Sequence, residues 1–134
     1  MSKLRPLAAV FFVSSLVASC AGHPLGKQEY CNPGAHCTAS GVITIESRWQ
    51  ASLNAGHSCI ALALPDAFFD KSNDFDAKHA VVTGDTFSQP IDEPGTVSYH
   101  YEVEGMRVDA NLCRMAMTVD GIHTRDGVIW TKSH

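Results

Sequence analysis

Residues 58–64 (SCIALAL) constrain the fold of this chain more than any other stretch. In an extended strand Ile60, Leu62 and Leu64 point one way, and Cys59, Ala61 and Ala63 the other. Both faces are apolar, so a strand here has to be covered on both sides. Two other segments alternate on a two-residue period. Val97, Tyr99, Tyr101 and Val103 oppose Ser98, His100 and Glu102, while Cys113, Met115, Met117 and Val119 oppose Arg114, Ala116 and Thr118. Residues 41–48 (GVITIESR) and 78–87 (KHAVVTGDTF) are β-branched, with Gly84 marking a bulge in the second. Residues 128–130 supply a last short strand, and Asp120-Gly121 and Asp126-Gly127 read as turns. Residues 66–77 (DAFFDKSNDFDA) space Phe68, Phe69 and Phe75 for a short helix or an ordered loop with its aromatic feet in the core. The pattern predicts a mainly β chain, a small antiparallel barrel or sandwich with at most one short helix.

The N-terminus has the layout of an export signal. Lys3 and Arg5 form a positive start, residues 7–17 are apolar apart from Ser14 and Ser15, and small residues follow. The apolar part is too short for a comfortable membrane span. Residues 16–20 (LVASC) resemble the lipobox of bacterial lipoproteins. The resemblance implies cleavage before Cys20, whose thiol then carries a diacylglycerol and whose amine is acylated. Ala21 follows, not the Asp of lipoproteins retained in the inner membrane, which by the same resemblance implies the outer membrane, facing the periplasm. Residues 1–19 are then a signal peptide and residues 20–40 a lipidated tether and lead-in loop, punctuated by Gly22, Pro24, Gly26, Pro33 and Gly34. Residues 41–134 form a single β domain, and no second apolar run of spanning length follows the signal. Beyond residue 19 the chain holds eight basic and 14 acidic residues, a formal charge of −6. The basic residues are scattered singly, so nucleic acid is not an expected partner.

Assigning Cys20 to lipid leaves Cys31, Cys37, Cys59 and Cys113, an even set in an oxidising compartment. Four cysteines allow three pairings. Cys31–Cys37 and Cys59–Cys113 are favoured, since Asn32-Pro33-Gly34 turns the chain between the first two and the second pair joins two strand-like segments. The competing use, a metal site of Cys31, His36 and Cys37, lacks zinc-finger spacing.

Over residues 40–119, a glycine-led strand, a second apolar strand, a helix-like link and then residues 80–84 (AVVTG) resemble the OB-fold order. The resemblance implies an OB-like barrel. Some OB families bind oligonucleotides, a use that the acidic balance opposes here.

Candidate chemistry is sparse. Met106, Met115, Met117, His100 and His123 are the soft and imidazole ligands that suit Cu(I), but the alternation turns Met115 and Met117 inward as core filling. Residues 70–76 (DKSNDFD) offer alternating oxygens, yet Phe75 and Val81 stand where a calcium loop needs Gly and Glu. His100, Glu102 and Glu104 read as a solvated strand face. No nucleophile elbow, His-Glu-x-x-His or phosphate-cradling glycine loop is present, so no catalytic residue, metal site or cofactor is expected. Among the large aromatics Trp49, Tyr99, Tyr101 and Trp130, Trp49 between Arg48 and Gln50 is the surface candidate. The expectation is an envelope lipoprotein, not an enzyme, held to the membrane by its lipid and carrying a non-catalytic binding or structural module for an envelope protein partner. The alternatives are an inhibitor of a secreted hydrolase such as lysozyme and periplasmic copper binding. The first is similar in size and setting to the periplasmic lysozyme-inhibitor lipoproteins but lacks their Ser-Gly-x-x-Tyr stretch.

Overall fold

In the computed structural model, residues 31–90 and 100–133 are described. Cys20, the signal segment, most of the tether and Tyr99 lie outside the described residues. The first strand, β1 (His36–Ser47), turns Cys37, Ala39 and Ile43 inward. It begins at His36, ahead of Gly41, because residues 36–40 pair antiparallel with β4 (His79–Ser88), from His36↔Asp85 to Ser40↔Val81. Part of the stretch read as a lead-in loop is therefore barrel wall. The same strand then pairs with β2 (Gln50–Ala55), and a register shift between Ile45 and Ser47 leaves Glu46 as the extra residue of a bulge.

β3 (Ser58–Ala63) follows β2 as an antiparallel neighbour. A 3₁₀ segment (Asp66–Asp74), kinked at Lys71, then plugs one end of the barrel. Phe68, Phe69 and Phe75 are buried there, and the Phe68 ring lies 5.4, 5.0 and 5.6 Å from the rings of Phe69, Phe75 and Trp130. The aromatic feet expected of this segment are in the core. β7 (Met115–Thr124) completes the wall, pairing with β3 on one side and β4 on the other. The closed order is β1–β2–β3–β7–β4–β1, an OB-like five-stranded barrel, and β8 (Ile129–Thr131) extends it from the edge of β7. One pairing departs from the antiparallel rule, since β3 and β7 run parallel with Ile60 opposite Met115. Alternation alone does not encode strand direction.

Asp120-Gly121 does not turn the chain. It lies inside β7, where the register against β4 shifts between Thr83 and Gly84 and Asp120 becomes the extra residue. Gly84 is needed opposite it, because a Cβ there would collide with the Thr118 carbonyl oxygen and Met117 Cγ. The bulge expected at Gly84 is thus carried by its partner strand.

An insertion between β4 and β7 explains the two-faced run at residues 58–64. Its hairpin of β5 (His100–Val103) and β6 (Met106–Asp109) turns at Glu104-Gly105, both at positive φ as a type I′ turn requires. Glu104 is therefore a turn residue, off the strand face of His100 and Glu102. Met106 and Val108 bury Ala63, while Cys113 and Ala116 bury Ala61. Ile60, Leu62 and Leu64 face the barrel interior. Buried Gln89 ties the insertion together, donating to the carbonyls of Asn111 and Cys113 and accepting from the Tyr101 hydroxyl. Two disulfides, Cys31–Cys37 and Cys59–Cys113, complete the fold with the expected pairing.

Candidate binding site at the Trp49 turn

β1 and β2 are joined by a two-residue loop, Arg48-Trp49, between Ser47 and its partner Gln50. Trp49 occupies a glycine-type position, with φ +73°. A bulky residue in that region is a true outlier, costing about 1–3 kcal/mol, and persists only where its surroundings over-determine it. Two elements, the 3₁₀ segment and β6, do so through three contacts. The indole Nε1–H donates to Asp66 Oδ1 (2.8 Å) at the start of the 3₁₀ segment. The Asp109 N–H at the end of β6 donates to the Trp49 carbonyl (2.9 Å). The Arg107 guanidinium, anchored on Asp109 Oδ1 at 2.9 Å, stacks 4.2 Å from the indole centroid. Gln50 adds a bond to the Ala110 carbonyl at 2.9 Å.

Arg48 spans the next gap. Its Nε donates to Asp66 Oδ1 (2.9 Å), and one terminal nitrogen donates to the Asp66 carbonyl and Asp70 Oδ1, both at 3.0 Å. Hydrogen bonds from Arg48 first, then from Trp49, hold the Asp66 carboxyl below its ordinary value of 3.8. Lys78 and Thr124 do the same for Asp126 at the other side of the 3₁₀ segment. Both groups bind a proton less readily folded than unfolded, so their contribution to stability is whole above pH 3.8 and fades as pH falls through the lowered folded values. The difference in thermal midpoint between the native chain and Asp66→Asn/Asp126→Asn should be constant above that value and shrink below it. In Asp66→Asn/Asp126→Asn the acid limb should be shallower.

Beside Arg48 lies a half-open cleft of about 270 Å³ between the bulged end of β1 and the 3₁₀ segment. Ile45 and Phe69 line its apolar side, and Ser47, Arg48, Ser72, Asn73 and Asp76 its polar side. Asp76 Oδ1 accepts the Ile45 N–H (2.9 Å), which fixes the cleft wall where the bulge has broken the strand ladder.

The other candidates fall elsewhere. Cys31 and Cys37 are joined to each other, and His36 instead meets Asp85 Oδ1 at 3.0 Å on the exposed barrel wall. Met117 sits in the barrel core, Met106 under the insertion, Met115 half-buried, and His100 and His123 exposed on separate strands. The copper candidates are thus divided among different packing clusters. In the acidic run, Asp70 and Asp76 are committed to Arg48 and the Ile45 N–H. Among the described residues no three His, Cys, Asp or Glu side chains converge as metal ligands, and no helix is long and apolar enough to cross a membrane. Trp130 is half-buried against Phe68, and the Tyr101 hydroxyl serves the insertion. Arg48 is exposed, but Trp49, expected at the surface, is half-buried and packs against the barrel core, and Asp66, Arg107 and Asp109 reach the pair across the fold and leave no local signal. Comparison with protein-family models, curated proteins and solved structures finds no match to this chain.

Proposed function

We propose that this chain is a lipid-anchored protein of the bacterial cell envelope, tethered through Cys20 to the outer membrane and facing the periplasm. Its barrel acts there as a non-catalytic binding module whose contact surface is the Trp49 turn and the adjoining cleft. The observation that carries the reading is the backbone of Trp49. A glycine would sit at φ +73° without cost, yet the position holds the largest side chain, braced by Asp66, Arg107 and Asp109. Strain held by three contacts from two separate elements is the pattern of a residue kept for recognition, where rigid aromatics with a polar handle contribute most. The lipobox-like run and the paired cysteines support the exported, membrane-tethered setting.

Two variants test it. Cys20→Ala is expected to move the protein from the membrane to the soluble fraction with its disulfides and thermal midpoint kept; retention on the membrane would overturn the anchor. Trp49→Gly relieves the φ strain and should stay folded. Affinity capture from envelopes should recover a partner with the native chain and lose it with Trp49→Gly. Equal recovery by both, or none with the native chain, would overturn the binding reading.

A further inference from the structure

We infer that the cleft beside Arg48 takes a neutral, hydroxyl-rich ring, a single sugar unit, presented by an envelope glycan. The inference rests on the binding-module reading and names the ligand class of its cleft. Size comes first. A volume of about 270 Å³ lies just under the usual range of small-molecule sites, which starts at about 300 Å³. That space suits one saturated ring with its substituents.

The lining then selects by chemistry. Half-buried Ile45, with the edge of the otherwise buried Phe69 behind it, gives a small apolar patch for the C–H face of a ring. Around it stand groups whose hydrogen-bonding capacity is left over among the described residues. The Ser72 hydroxyl and the Asn73 carboxamide have no side-chain bond there, the second terminal nitrogen of Arg48 has no acceptor, and Asp76 uses one oxygen on the Ile45 N–H. The lining therefore offers both donors and acceptors, as hydroxyls that give and take hydrogen bonds require.

Charged ligands fit less well. An anion would find the Arg48 charge already balanced by Asp66 and Asp70, and would face Asp76 on the rim. A metal cation would find Asp66 and Asp70 already engaged by the guanidinium. The ligand that uses the leftover groups without breaking those pairs is uncharged.

The test uses the full chain in lipid nanodiscs, titrated with methyl β-glucoside, the trimer of N-acetylglucosamine and inorganic phosphate, each followed by backbone amide NMR. Either sugar should cause saturable shifts at residues 45–48 and 69–76, and phosphate should leave them unmoved. In Ser72→Ala/Asn73→Ala, two exposed or half-exposed positions whose loss should leave the fold intact, binding should weaken about tenfold or more. No saturable shift with either sugar, phosphate acting in their place, or unchanged affinity in the double variant would overturn the inference. If capture still depends on Trp49 while the sugars are silent, the ligand class falls and the binding module stands.

Discussion

Replacing Cys59 and Cys113 together by alanine is expected to cost about 4 kcal/mol of stability, because the bond closes a loop with a sequence separation of 54 residues. That bond joins the two-faced strand β3 to the end of the insertion, just ahead of β7. Without it the insertion keeps the packing of Met106 and Val108 on Ala63, the Gln89 bonds and its contacts with the Trp49 turn, but loses its covalent hold on β3. Chemical denaturation of the double variant should therefore show an earlier midpoint. Cys31→Ala/Cys37→Ala, closing a loop of separation 6, should lose about 2 kcal/mol on the same entropic grounds. Equal losses for the two pairs would show that chain entropy is not what the bonds contribute. Against a total of about 5–15 kcal/mol for a domain, the longer bond decides whether the protein is comfortably folded or marginal.

Phe68→Ala should be comparably severe, at about 3–5 kcal/mol. Phe68 is 1% exposed and touches three aromatic rings at the barrel end, so its removal leaves a cavity that rigid neighbours fill poorly. Phe68→Leu retains much of the volume and should lose about 1.5 kcal/mol or less. Urea midpoints of the two variants compare the effects directly. A small loss for Phe68→Ala would mean that the 3₁₀ segment collapses onto β8 and that the plug is softer than its packing implies.

The β class, the disulfide pairing and the aromatic link were readable because each rests on local pattern: alternation, cysteine parity, and the spacing of Phe68, Phe69 and Phe75. β2 was not. Its QASLNA is made of weak strand formers, and it is a strand because β1 and β3 pair with it on both sides. β6, with the sequence MRVD, is likewise too short to declare itself and is fixed by its hairpin turn and by burial against Ala63. At Asp120-Gly121 the sequence carries a turn signal that the barrel uses as a bulge, since a continuing ladder on both sides overrides local preference. The candidate site was half legible. Trp49 stood out as an aromatic at a strand end, but its positive φ and its partners belong to tertiary structure. The cleft was hidden inside a run that looks like an acidic loop, because its polar capacity appears only once Arg48 has claimed Asp66 and Asp70.

The position of β7 in the chain governs when this barrel can exist at all. Its residues 115–124 pair with β3, β4 and β8, and its partner Ile60 lies far upstream. Until they leave the ribosome, β3 and β4 keep open edges and the interior has no fifth wall. Local hairpins can form early, but closure must wait for residues 115–124 and is dominated by distant pairings, which slow folding. Because β7 is made after all four of the other wall strands, that order of assembly is built into the topology, and the barrel interior stays open until residues 115–124 are in place.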